Sequence, residues 1–224
     1  MGIRVEVVRV FTDASGRFGN RLGIARAADV AEPERQELAR RAGYSETVVV
    51  AEPVDGIAPL RIYTPAVELP FAGHPSVGTA WWFLRRGIPV TALRVPAGLV
   101  AVQSADGLTW ITAKADWTPD FVFHRYPTAA EVTALDPADF PGGPHYAWAW
   151  SDEHRGSIRS RMFGPTMGIT EDEATGAAAV AITAQLRRGL HITQGAGSHL
   201  FTQWDSDGWV RLGGRVADDS AAEF

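Results

Sequence analysis

Glu68-Leu69-Pro70-Phe71-Ala72-Gly73-His74-Pro75-Ser76-Val77-Gly78-Thr79-Ala80 is the stretch on which the fold turns. An extended apolar approach ends in a Gly-His-Pro turn. Pro75 suits the first position of a helix, where its missing N–H would have no partner in any case. The residues that follow, through Trp81, Trp82, Phe83 and Leu84 to Arg85-Arg86-Gly87, read as a buried helix. Its basic last turn matches the helix dipole, and Gly87 serves as the stop. His74 is therefore expected beside free backbone N–H groups at a helix N-terminus, a place that favours anions.

The pattern occurs twice. Arg61-Ile62-Tyr63-Thr64-Pro65 precedes the first turn, and Arg161-Met162-Phe163-Gly164-Pro165 precedes a second, Glu171-Asp172-Glu173-Ala174-Thr175-Gly176-Ala177. The two arginines are 100 residues apart (161 − 61). His74 lies four residues before Gly78, as Asp172 does before Gly176, and both helices are expected to end Arg-Arg-Gly, the second at Arg187-Arg188-Gly189. Three features in one order suggest two related halves, each a strand, a turn and a buried helix.

With 224 residues and 46% apolar content the chain can build one large core or two small ones. Its 23 Gly and 14 Pro favour sheet-rich structure over a helix bundle. A net charge of -5 without a basic run argues against nucleic acid as partner. The absence of Cys removes disulfides, thiolate metal sites and thiol bases, and fits a cytoplasmic location. Met1 to Val7 alternates like a strand and unlike a signal peptide. No apolar run is long enough to span a bilayer. HExxH, paired-His spacing, GxSxG and Walker A patterns are absent, so no metal is expected.

Along the chain, Arg4 to Thr12 reads as a strand and Asp13 to Asn20 as a turn-rich loop in which Asn20 bonds locally. Glu32 to Gly43 reads as a surface helix. Thr47 to Val50 forms an apolar strand with Glu46 at its opening, either an exposed strand start or a group at a cavity mouth. Leu60 to Pro65 is a strand, and Ala92 to Gln103 pairs with Leu108 to Ala113 around Asp106-Gly107. Asp116 to Asp120 links residues 1–115 to residues 120–224. Thr128 to Leu135 is a short helix. His145 to Trp150 is a strand with one aromatic face, and Ser157 to Phe163 is its partner. Leu200 to Trp204 and Gly208 to Val216 form a hairpin around Asp205 to Gly208. Ala217 to Phe224 is a frayed tail.

These motifs together resemble the phenazine-biosynthesis PhzF-like isomerase family. The likeness runs through Phe11-Thr12 to Gly19-Asn20, Ser45-Glu46-Thr47, Arg61 to Pro65, Glu68 to Pro75, Glu171-Asp172 with Ala174-Thr175-Gly176, and Gln194-Gly195. It implies an α+β fold like that of diaminopimelate epimerase. Two pseudo-symmetric domains would each wrap a curved, mostly antiparallel sheet or barrel around a central helix, with the site in the cleft between them. Epimerases of that fold use a Cys pair, which this chain lacks. The PhzF-like branch uses a Glu whose position matches Glu46. The resemblance also implies proton movement along a conjugated ring, without metal or organic cofactor. A homodimer is expected because a shortened second domain with an uncovered sheet edge would invite one.

The chain departs from the family pattern in three places. The usual Asp-Pro-Ala-Thr-Gly-Ser is Asp172-Glu173-Ala174-Thr175-Gly176-Ala177, which loses the final hydroxyl. The Gly-Arg pair after Gln-Gly becomes Gly197-Ser198-His199. The region between the link and Arg161 is short, so the second barrel is expected to be trimmed.

The expected catalytic set is Glu46, His74 and Asp172. Ser45, Gly73, Gly176 and Ala177 would bind a small carboxylate substrate, largely through helix N-terminal N–H groups. Burial is expected to raise the pKa of Glu46. Two alternatives stand beside the isomerase: a cofactor-free amino-acid racemase or epimerase using Glu46 and Asp172, and a non-catalytic binding protein on the same fold.

Overall fold

The computed structural model describes residues 2–205 and 207–224. Met1, at the head of the expected first strand, and Ser206, in the expected last turn, lie outside the described residues. The first half runs β1 (Arg4–Thr12), β2 (Asn20–Arg26), α1 (Arg35–Ala42), β3 (Glu46–Val50), β4 (Ile57–Tyr63), β5 (Glu68–Leu69), α2 (Gly73–Arg85), β6 (Ala92–Val95), β7 (Gly98–Ala105) and β8 (Leu108–Lys114). The second runs β9 (Val122–Arg125), α3 (Ala129–Thr133), β10 (His145–Asp152), β11 (Ser157–Gly164), β12 (Ile169–Asp172), α4 (Gly176–Leu186), β13 (His191–Gln194), β14 (Ser198–Trp204), β15 (Trp209–Asp218) and β16 (Ala222–Glu223).

The repeat read from the arginines is present in the connectivity. β2 and β3 are parallel, β3 and β4 antiparallel, β4 and β5 a small hairpin, and β4 and β6 parallel with α2 between them. β9, β10, β11, β12, α4 and β13 repeat those steps with the same senses. The arginines hold equivalent places. Arg61 Nε lies 2.7 Å from Glu68 Oε1, and Arg161 donates two 2.7 Å hydrogen bonds to Glu171, so each ties its strand to the carboxylate at the head of its turn.

The halves close differently. β15 pairs with both β8 and β1, which completes an eight-stranded barrel in the order β1-β2-β3-β4-β6-β7-β8-β15. α2 fills that barrel, with Val77, Ala80 and Phe83 in the same core as Val8, Leu22, Ile62 and Ile111. The second sheet continues from β15 through β14, β13, β11 and β10 and ends at β9. α4 packs on β14 and β15. Its buried Ala178, Ala179, Val180 and Ile182 give it the all-round apolar surface of an enclosed helix. One apolar cluster runs through both halves. The link between them is docked: Trp117 packs on Phe71 and on Trp209, each at 5.6 Å between ring centroids.

Several expectations need correction. Pro75 is the third helical residue, not the first; Ala72 is the N-cap. Any first-turn position leaves a backbone N–H without an intrahelical acceptor, so Pro is tolerated there too. α4 stops at Arg187, itself left-handed at φ 52°, two residues before Gly189. Ala92 to Gln103 is two strands split at Pro96-Ala97, where Ala97 N–H bonds to Pro70 O at 3.0 Å. β2 was not expected at all. The tail is not frayed: Ala222 and Glu223 pair with Val5 and Arg4, and Phe224 packs edge-on against Tyr44. The aromatic face of β10 is as expected, with Ala147 and Ala149 turned to a separate cluster of Val132, Phe140 and Phe163.

Candidate active site

The two buried helices meet end to end. A Cβ built on Gly176 would lie 2.8 Å from His74 N and 3.0 Å from Gly73 C, and one on Gly73 would lie 3.0 Å from Gly176 C. Only glycine allows backbones this close. The structure therefore pairs Gly73 with Gly176, each the first residue of its helix. The alignment of His74 with Asp172 drawn from Gly78 does not hold. His74 is the second residue of α2, whereas Asp172 is the last of β12, four residues before α4.

His74 and Glu46 nonetheless come together. His74 is 3% exposed, and its Nδ1 lies 3.1 Å from Glu46 Oε2. The approach is an ion-pair contact without hydrogen-bond alignment, since Glu46 Oε2 and His74 Nε2 have no hydrogen-bond partner among the described residues. Glu46 opens β3 and keeps 19% of its side chain exposed. Ser45, just before it, is half-buried. Burial pushes the Glu46 carboxyl up, but the charge of His74, together with the closeness of the His74 and Ser45 side chains, outweighs it, and the pKa falls below the usual value. The expected rise is corrected accordingly: a nearby cation overrides desolvation.

Asp172 goes the other way. Burial and then the charge of Glu46 raise its pKa, against opposing hydrogen bonds from Thr175 and Asn20 and the charge of His74. Asn20 Nδ2 donates to Asp172 Oδ1 at 2.6 Å, and Thr175 Oγ1 donates to Oδ2 at 2.5 Å. Thr175 is the N-cap of α4, yet its hydroxyl is spent on Asp172 while accepting from Gln194 Nε2 at 2.8 Å. Neither α2 nor α4 has a side-chain cap, so the first-turn N–H groups near buried Gly73 and Gly176 and half-buried Ala177 have no capping acceptor among the described residues, an arrangement that favours an anion.

Three participants escaped the sequence reading. Asn20 does not bond locally: besides Asp172 it donates to Ala174 O at 3.0 Å, far along the chain. Glu173 accepts from Ala196 N–H at 2.8 Å, Gly197 N–H at 3.3 Å and Ser198 Oγ at 2.7 Å. Ser198 Oγ in turn accepts Gly19 N–H at 2.9 Å. These bonds strap the loop before β2 to the turn before β14 beside the carboxylates. The signal for them was the pairing of Gly19-Asn20 with the two departures at Glu173 and Ser198. Among the described residues, no three His, Asp or Glu side chains are grouped as for a metal ion. No helix among them is long and apolar enough to cross a membrane.

A family model described as phenazine biosynthesis-like protein matches residues 8–135 and 138–211. The trans-2,3-dihydro-3-hydroxyanthranilate isomerase of Pseudomonas aeruginosa is 32% identical over 207 residues, covering 75% of this chain and 73% of that protein. A phenazine biosynthesis PhzF-family protein from Enterococcus faecalis superposes with a TM-score of 0.73 at 19% identity, covering 100% of this chain and 99% of that one. A hydroxyproline epimerase from Agrobacterium vitis shares the fold at a TM-score of 0.66 and 12% identity, covering 99% and 92%.

Proposed function

The chain belongs to the phenazine biosynthesis-like family of isomerases, and from that premise we propose that it moves a proton on a small conjugated cyclic amino- or hydroxy-carboxylate, without a cofactor, using Glu46 as general acid and base. The observation that carries this reading is the 3.1 Å contact between Glu46 and buried His74. It supports a Glu46 that is ionised in the free protein and ready to accept a proton. In the proposed step the C–H bonding pair passes into the conjugated system as Glu46 takes the proton. Glu46 then returns the proton to another carbon of that system. His74 and Asp172 hold polar substituents, and the open N–H groups of α2 and α4 take the carboxylate. The division into residues 1–115 and 120–224, with the cleft between them, belongs to the same reading, as does a homodimer.

One observation favours a second reading. Two neighbouring carboxyls with pKa values pushed apart, Glu46 down and Asp172 up, are the pattern of a base and an acid. That pattern suits a cofactor-free racemase or epimerase acting from opposite faces of an amino acid.

The first probe is trans-2,3-dihydro-3-hydroxyanthranilate. The Glu46→Gln protein should still bind it and lose about 10²–10⁴-fold in turnover. Near-parental turnover would remove Glu46 from the chemistry. Deuterium entry at Cα with loss of optical activity, in an amino acid offered in D2O, would select the second reading instead.

A further inference from the structure

The barrel has a second mouth, at the C-terminal end of α2, which the reaction above does not use. A cavity of about 450 Å³ there is lined by Arg4, Glu6, Ile24, Arg26, Asp29 and Arg86. The strand register explains it. Val8 stands opposite Leu22 and Glu6 opposite Ile24, and Val8, Leu22 and Ile24 belong to the barrel core. Two residues further along the same face come Arg4 on β1 and Arg26 on β2. An inward row that is apolar in the middle of the barrel therefore ends in guanidinium groups.

These arginines are not equally committed. Arg86 pairs with Glu6, donates to Trp82 O at 3.0 Å, and lies 4.1 Å above the Trp82 ring. Arg26 lies over the same ring at 5.7 Å. Among the described residues, neither Arg4 nor Arg26 forms an ion pair. With Glu6 neutralised by Arg86, two uncommitted guanidiniums face one carboxylate, Asp29. A guanidinium offers paired donors matched to the oxygens of a carboxylate or phosphate. We propose that this mouth is a binding site for a small oxyanion, carboxylate or phosphate, held by Arg4 and Arg26, with Asp29 as acceptor for an ammonium or hydroxyl on the same molecule. The site lies at the opposite end of α2 from His74, so its occupancy is independent of the proton-transfer reading.

The test titrates inorganic phosphate and benzoate separately into the full chain at constant ionic strength, following the Trp82 indole and arginine side-chain NMR signals. Saturable shifts of these signals are expected with at least one of the two, and which one saturates tells phosphate from carboxylate. Arg4→Gln and Arg26→Gln should each weaken binding about tenfold or more, the loss of one charge-assisted contact. Arg21→Gln, whose guanidinium pairs with Asp219 instead, should leave it unchanged. Both test positions are exposed, so folding should survive, and near-UV circular dichroism checks that it does. Saturation by neither anion, or parental affinity in both variants, overturns the proposal.

Discussion

Replacing Gly176 by alanine should separate the two helix ends and disarm the site while leaving most of the protein intact. The added carbon would sit 2.8 Å from His74 N, 3.0 Å from Gly73 C and 3.0 Å from Leu212 Cδ2. Comfortable contact begins at about 3.5 Å, so the α2 and α4 N-termini must part by about 0.5–0.7 Å. Two of the three obstacles are backbone and cannot swing aside. Overpacking of this kind costs about 1–3 kcal/mol, partly offset by up to about 1 kcal/mol for removing a helical glycine. A net loss of about 1–2 kcal/mol lowers Tm by about 2–8 °C in a chain of this size. The larger effect should fall on turnover. Because the displaced atom belongs to His74, the contact with Glu46 lengthens, and a misplacement of this order costs about 10–10²-fold in kcat. Calorimetry and steady-state kinetics with the dihydro-hydroxyanthranilate probe read the two effects separately. Gly143→Ala is the control, since a Cβ there meets nothing within 4 Å. A Gly176→Ala protein with kcat within about twofold of the parent and an unchanged Tm would refute the claim that backbone contact sets the site.

Further outcomes follow from the charges and the strap. Without the His74 charge, only Ser45 is left to oppose burial at Glu46, so His74→Asn should move the acid limb of kcat/KM to higher pH; an unmoved limb would show that His74 does not hold the carboxyl down. Asp172 has a raised folded-state pKa, so its stabilising contribution is complete below the unfolded value of 3.8 and disappears as pH rises through the folded value. Asp172→Asn should therefore unfold at a higher temperature than the parent at neutral pH, with the gap narrowing toward pH 4; a gap that widens in acid contradicts the assignment. Ser198→Ala leaves buried Gly19 N–H without its acceptor and should cost about 1–3 kcal/mol in urea unfolding. Glu173→Gln keeps an amide oxygen that can accept both Gly197 N–H and Ser198 Oγ, losing only the bond from exposed Ala196, and should cost less; the reverse order would mean that Ser198 is not the link between the two loops.

Some of this was legible because short motifs carry their own geometry. Gly73-His74-Pro75 announced a helix entered through a tight turn, and the arginines 100 residues apart announced the repeat. β2 was missed because two of its seven residues, Gly23 and Ala25, are small. A side chain at Gly23 would meet Tyr44 Cδ2 at 2.9 Å, and Ala25 is wholly buried in the cluster with Leu38 of α1. The strand thus lacks the bulky alternation that marks strands, for a reason supplied by tertiary packing. The tail was missed for a similar reason: Phe224 is anchored by Tyr44, a partner that no local pattern reveals. The partners of Asn20, Glu173 and Ser198 lie across the chain, so residue type suggested hydrogen bonding but could not say with what.

β15 has a consequence for how this molecule is made. It supplies the stave that seals the barrel, pairing Val8 with Asp218 across nearly the whole described chain. As the polypeptide emerges from the ribosome, the helix inside the first half is threaded into a cylinder that still has a slot in its wall. The slot can be filled only after the second half has been synthesised. Until then β1 and β8 each expose a free backbone edge, and the nascent first half is a target for chaperones well before it is an enzyme.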